Sequence, residues 1–83
     1  MSNVYYEDSR LVEDLHQCLV DEARVLLSQQ LDMLPTNIKE VKVIHGFHQG
    51  SALMDMLQRD FKHKRISKKY KGLNKGITLF YLK

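Results

Sequence analysis

The chain has 83 residues, of which 43% are hydrophobic, so it can build one small core and we predict a single domain over residues 1–83. No apolar run approaches the about 20 residues that cross a bilayer, and early acidic residues exclude a signal peptide, so we expect a cytoplasmic protein without a membrane partner. The single cysteine excludes an internal disulfide and a cysteine-based zinc cage, and the net charge of +3 favours an anionic partner over a cationic one.

The N-terminal part predicts a short strand followed by a long helix. Val4 to Tyr6 is rich in β-forming residues, and Asp8 or Ser9 can cap the segment that follows. Apolar residues then recur at helical spacing from Leu11 to Leu27, and the pattern continues until Pro35 ends it. His16 falls within this predicted helix, where we expect it to be structural or simply solvated.

The remaining elements are predicted as a strand, a helix and two further strands. Residues 38–44 form the second strand, and Ser51 is a plausible N-cap for a helix whose apolar stripe is Leu53, Leu57 and Phe61. Residues 65–70 predict a lysine-protected edge strand, and residues 77–82 predict a central one. A glycine-bearing turn over 72–76 joins them, so they should pair antiparallel.

This order, β-α-β-α-β-β, predicts an α/β domain with a two-layer α+β sandwich. Strands joined through a helix should be parallel with right-handed crossovers, which place both helices on one face. We therefore expect a mixed four-stranded sheet covered by two helices on one side.

The loop between the second strand and the second helix combines glycines with histidines. Gly46 and Gly50 would let a phosphate approach the backbone amides at the start of the helix. His45 and His48 can donate, accept or exchange a proton there, and Phe47 is placed to stack on a base. The alternative for His45 is a buried residue that holds the loop through a backbone hydrogen bond.

Positive charge is concentrated in the C-terminal third. Residues 1–58 carry a net charge of −5, whereas residues 59–83 carry +8. A charge run of this kind is often only a solvated face, but here it follows the glycine–histidine loop directly. We therefore expect it to attract nucleic acid.

These residues resemble the Smr domain, the small MutS-related module, over nearly the whole chain. The resemblance is carried by Val43-Ile44-His45-Gly46, by Gly50, by Ala52-Leu53 and by the stretch from Gly72 to Leu79. It implies the strand order one, two, four, three, with the last strand antiparallel to the others. It also implies nucleic-acid binding and, in some members, metal-dependent nicking of DNA or cleavage of RNA.

Two motifs carry that activity in the family, and this sequence departs from both. His-Gly-x-Gly-x-Gly is kept at His45, Gly46 and Gly50, but His48 replaces the middle glycine. Leu-Asp-x-His, which should end the first strand, is missing from the predicted strand, where Tyr5 stands for the aspartate and Glu7 for the histidine. Glu7 and His45 are then the candidate catalytic residues, with Mg²⁺ or Mn²⁺ if the chain is catalytic and no metal ligands assigned.

The leading hypothesis is a monomeric nucleic-acid-binding domain that holds backbone phosphates without reading bases. Its expected binding residues are Gly46, Phe47, His48, Gly50, Ser51, Lys62, Lys64, Arg65, Lys68, Lys69 and Lys71. One alternative is an Smr-type endonuclease. The other is a non-catalytic protein-interaction module that uses an acidic face of the first helix, formed by Glu13, Asp14, Asp21 and Glu22.

Overall fold

The computed structural model describes residues 3–46 and 51–83, and its first elements form a β-hairpin. β1 (Asn3–Glu7) and β2 (Arg10–Asp14) pair antiparallel around a two-residue turn at Asp8 and Ser9. Asp8 has a φ of 58°, in the left-handed region that aspartate tolerates better than most residues. The predicted helix start was therefore wrong, because the two residues taken as a helix cap form a hairpin turn.

The first helix is shorter than its apolar periodicity predicts. α1 (Val20–Met33) has 14 residues and buries Ala23, Leu27 and Leu31. A carboxylate oxygen of Glu22 accepts the backbone N–H of Leu19 at 2.9 Å, which satisfies one free donor at the helix start. The helix ends before Pro35, as predicted.

The sheet has five strands rather than the four expected. β3 (Glu40–Ile44), β4 (Ile66–Lys71) and β5 (Ile77–Leu82) complete it, and the strand order is β1-β2-β3-β5-β4. β2 and β3 are parallel, whereas β5 runs antiparallel to both of its neighbours, which confirms it as a central strand. β1 lies at the outer edge beside β2, where the predicted four-stranded order has no further strand.

Both helical segments pack on one face of the sheet. α2 (Ala52–Asp55) continues as a π-helical turn (Met56–Asp60), and a 2.7 Å bond from the Phe61 N–H to the Met56 carbonyl closes it. Side chains from α1 and from this segment join those of the sheet in one apolar cluster, as the crossover rule predicts. None of the described helices is both long and apolar enough to cross a membrane.

One carboxylic acid lies inside this core. Glu13 of β2 is fully buried opposite Val43 of β3, and neither of its carboxylate oxygens has a hydrogen-bond partner among the described residues. Burial raises the pKa of Glu13 from its ordinary value of 4.5 to about 7, because the charged form loses its hydration. Glu13 therefore occupies a position at which a strand of this kind normally places an apolar residue.

The parallel strands define two edges of the sheet. At the carboxyl edge, where β2, β3 and β4 end, Asp14, Ile44 and Ile77 lie side by side. At the opposite, amino edge, Arg10 pairs with Glu40 in register and through a 3.6 Å ion pair. In α/β folds, ligand-binding sites usually lie at the edge where the carboxyl ends of parallel strands meet.

Candidate nucleic-acid interface

His45 leaves β3 at the carboxyl edge and is held by a closed hydrogen-bond network. Its side chain is buried, with Nδ1 2.8 Å from the carbonyl oxygen of Gly46 and Nε2 2.9 Å from the hydroxyl of Thr78. The amide of Gln58 donates to the same hydroxyl at 2.9 Å. Since a carbonyl only accepts, Nδ1 carries the proton, and Thr78 donates its own proton to Nε2.

This network makes His45 a positioning residue. Burial lowers the pKa of His45, because the charged imidazolium would lose its hydration, and the bond to Gly46 opposes this only in part. Both ring nitrogens are already occupied, so neither is available to a substrate. The structure thus favours the alternative interpretation, in which His45 holds the loop.

The loop is joined to the β4–β5 turn through close glycine contacts. The backbone N–H groups of His45 and Gly46 both donate to the carbonyl of Gly76, at 2.8 and 3.0 Å. Gly46 has a φ of +69°, and a Cβ on Gly76 would lie 3.1 Å from the Cα of Gly46. Glycine is therefore required on both sides, and two backbone hydrogen bonds join the two segments.

Glu7 and His45 do not share a site. Glu7 ends β1 and pairs with Arg10 at the amino edge, whereas His45 follows Ile44 at the carboxyl edge. The four residue steps from Arg10 to Asp14 along β2 separate the two edges by about 13 Å. The structure therefore does not bring the predicted catalytic pair together, because β2 rather than β1 ends at the carboxyl edge beside β3.

The corrected strand reveals a motif that the sequence analysis missed. β2 ends at Asp14, and Glu13-Asp14-Leu15-His16 matches two of the three specified positions of Leu-Asp-x-His, with Glu13 in place of the leucine. Asp14 hydrogen-bonds Nδ1 of His16 at 2.5 Å and also accepts the His16 backbone N–H. A Cβ on Gly46 would lie 3.3 Å from the Cβ of His16, so this pair adjoins the His45 loop. The sequence contains this pattern. If the β1–β2 hairpin had been predicted, residues 13–16 would have been placed at the end of a strand.

Two of the expected phosphate-binding cations have structural roles. Arg65 donates to the carbonyls of Leu31 and Leu34 at 2.7 and 2.6 Å, where α1 ends. The ammonium of Lys69 donates to the carbonyl of Phe61 and lies 5.7 Å from the ring centre of Phe80. Burial lowers the pKa of Lys69.

The other predicted binding residues are scattered. Lys62 and Lys64 are exposed before β4, on the amino-edge side, and Lys68 lies beside Tyr81 in the sheet. The hydroxyl of Ser51 donates to the carboxylate of Asp55 at 3.0 Å, which places negative charge at the start of α2. Phe47, His48 and Gly50 lie outside the described residues.

A groove between α2 and β4 brings other cations together. It consists of two neighbouring clefts of about 340 and 290 Å³, which share Gln58 and Lys71 as lining residues. Its walls contain four cationic side chains and no acidic one among the described residues: Arg59, Lys69, Lys71 and Lys75. We call this feature the α2–β4 groove.

The groove is also apolar in part and connected to the glycine loop. Met54 and Ile77 line the larger cleft, and Asn74 accepts the N–H of Gly76 at 2.8 Å inside the turn. Gly76 in turn contacts Gly46. Apolar walls with a cationic rim suit a ligand that has a flat ring and a phosphate.

No family model, curated protein or solved structure matches this chain. Within residues 3–46 and 51–83, no three His, Cys, Asp or Glu side chains are close enough to hold a metal ion. Asp14 and His16 supply only two such groups. The described residues therefore do not form a metal site of the kind that the resemblance implies for catalytic members.

Proposed function

We propose that the chain binds nucleic acid through the α2–β4 groove. The observation that carries this proposal is the run of four cationic side chains along two joined clefts, which no acidic side chain of residues 3–46 and 51–83 lines. Phosphates would lie against Lys71, Lys75 and Arg59, and Lys69 would contribute mainly by its field, since its ammonium already donates to Phe61. Such contacts position a backbone without reading its sequence.

The His45 network supports this function indirectly. By tying Gly46 to Gly76 it fixes the turn that carries Lys75, and through Gln58 it fixes the helix that lines the opposite wall. A binding groove with fixed walls loses little entropy when a ligand binds. His45 is thus part of the site without touching the ligand.

Charge reversal at the groove tests the proposal against a matched control. Fluorescence anisotropy with labelled single-stranded and duplex DNA and RNA would compare Lys71→Glu/Lys75→Glu with Lys62→Glu/Lys64→Glu. Both double variants change the net charge equally, but only the first alters the groove. We expect the groove variant to bind at least about tenfold more weakly and the control to stay within about twofold at moderate salt.

Salt dependence provides a second readout. If about three phosphates are neutralised, log K against log salt should have a slope of about −2 for single strands and about −3 for duplex. A wild-type protein that binds none of the four probes at low salt would overturn the proposal. An equal loss in both double variants would also overturn it, by showing that overall charge rather than the groove attracts the probe.

Asp14 and His16 favour hydrolysis of phosphodiesters as a second candidate function. The Asp14 carboxylate orients the His16 ring through Nδ1, which leaves Nε2 as the nitrogen able to take a proton from an attacking water or hydroxyl. His16 is exposed, unlike His45, so a substrate can reach it.

The test uses supercoiled plasmid and structured RNA, with and without Mg²⁺ or Mn²⁺. Wild-type protein should cleave one of them, and His16→Ala should lose at least about a hundredfold of that rate if His16 is the general base. His63→Ala, which alters a histidine bonded to Asp32 elsewhere, is the control. Equal cleavage by wild type and His16→Ala would indicate a contaminant and reject this role.

A further inference from the structure

The two outer strands of the sheet differ in their protection. β4 carries Lys68, Lys69 and Lys71, and pairing it with a copy of itself would bring ammonium groups together. β1 contains no lysine, arginine or proline, and every one of its five residues is exposed. Val4, Tyr5 and Tyr6 are 39, 47 and 58% exposed, which leaves an apolar strand with an open edge among the described residues.

The hairpin determines which backbone groups face that open edge. In a two-residue hairpin the pair that closes the turn, here Glu7 and Arg10, exchanges both hydrogen bonds, and bonded pairs then alternate along the ladder. Tyr5 is therefore bonded to Val12. The N–H and C=O groups of Val4 and Tyr6 point away from β2, and no other strand in the described part of the chain pairs with them.

We propose that β1 pairs antiparallel with β1 of a second copy of this chain, on a two-fold axis at Tyr5. In this register the backbone N–H and C=O groups of Val4 bond with those of Tyr6 in the second copy. The groups of Tyr6 bond in the same way with Val4 of the second copy, which makes four hydrogen bonds in total. Asn3 then lies opposite Glu7, so an amide meets a carboxylate and no like charges face each other. The contact is self-complementary, as a two-fold interface requires, and it does not depend on nucleic-acid binding.

The register also places like surfaces together. Tyr5 lies on the helix-free face and meets Tyr5 of the second copy at a non-bonded pair, where side chains are closest. Val4 and Tyr6 lie on the helix-covered face, because Tyr6 is opposite Leu11, which belongs to the apolar cluster that includes the helices, and Val4 is two residues away on the same face. Because a five-residue strand buries little area, the dimer should be weak, with a dissociation constant in the micromolar range.

Sedimentation equilibrium over about 5 to about 500 µM tests the association. The average mass should rise from 9.8 kDa toward twice that value. Tyr6→Pro removes an N–H that points away from β2, which an edge strand tolerates, and should remain monomeric. Tyr6→Thr keeps that N–H and should still associate. Wild-type protein that stays at 9.8 kDa throughout would overturn the proposal.

Cysteine crosslinking tests the register independently of any folding defect in Tyr6→Pro. Tyr5→Cys should form a disulfide dimer under mild oxidation, because opposite Cα atoms at a non-bonded pair lie about 4.5 Å apart. Tyr6→Cys, displaced from the axis, should crosslink much more slowly. The native Cys18 is buried and should not interfere. Equal crosslinking of both variants would reject the two-fold register.

Discussion

Replacing Glu13 with glutamine should remove a pH-dependent penalty on stability. The unfolded chain releases the Glu13 proton near pH 4.5, whereas the folded protein keeps it up to about pH 7. Between these values the folded state binds more protons, so the stability that this group contributes is lost as the pH rises. Each pKa unit corresponds to about 1.4 kcal/mol, and the loss across the window is therefore about 3 kcal/mol.

Urea unfolding of wild type and Glu13→Gln at pH 4.5 and pH 8 measures this effect. The free energy of unfolding of the variant, relative to wild type, should increase by about 3 kcal/mol between the two pH values. His45 acts in the opposite sense: burial lowers its pKa, so its contribution is lost as the pH falls below its ordinary value of 6.5. That contribution is common to both proteins and cancels in the difference.

Glu7→Gln is the matched control, because Glu7 is exposed at the end of the same hairpin. Its stability relative to wild type should change little over the same pH range. The reasoning about Glu13 would be refuted by a Glu13→Gln difference that is constant from pH 4.5 to 8. Such a result would mean that the buried carboxyl group ionises as easily as one in water.

Three other substitutions test the contacts that build the site. Thr78→Val should cost about 1–3 kcal/mol in urea unfolding, because it leaves Nε2 of His45 without its donor; no loss would mean that the network is not formed. Arg65→Ala should lower the free energy of unfolding by about 2 kcal/mol through the freed carbonyls of α1, whereas the exposed Lys64→Ala should change it by less than about 0.5 kcal/mol. Gly46→Ala should cost at least about 1 kcal/mol because of its positive φ, and a neutral result would contradict that geometry.

The strands and turns of the C-terminal half could be predicted from local sequence patterns. The β-branched run before His45 and the apolar run over residues 77–82 each predicted an observed strand, and glycines marked the turn between β4 and β5. The stripe ending at Phe61 predicted a helix, which is α-helical over Ala52–Asp55 and π-helical over Met56–Asp60. Apart from Thr78, the buried positions of these elements hold apolar residues, so burial and sequence pattern agree.

The N-terminal half failed because one core position holds an acid. In β2, Leu11, Val12 and Glu13 are all buried, so the strand has no period of two, and Glu13 interrupts the apolar run that would otherwise identify a buried strand. Leu11, Leu15 and Leu19 then imitate a helix at spacings of four, although Leu19 is 73% exposed in the structure. The prediction of a helix over β2 also affected the choice of site residues. It left the Asp14–His16 pair unnoticed and made Glu7 a candidate catalytic residue.

The sequence pointed to the end of the β3 strand as the site, because a histidine and a glycine there interrupt an apolar run, and that location stays a prediction. It could not show that His45 has both nitrogens bonded or that Arg65 closes α1, since those partners are 33 and 31 to 34 residues away. The groove combines Arg59, Lys71 and Lys75, which no short motif contains.

The interior position of β5 has a consequence for the order of folding. β5 is the last of the described elements along the chain, yet it separates β3 from β4 and supplies every backbone bond that either makes on that side. During synthesis β4 therefore emerges from the ribosome before the strand with which it pairs. The β3–β5 and β4–β5 pairings can form only after β5 has been synthesised. Shortening the chain within residues 77–82 should leave an aggregation-prone fragment in which, of the strand pairs that the structure describes, the β1–β2 hairpin and the β2–β3 pair can still form.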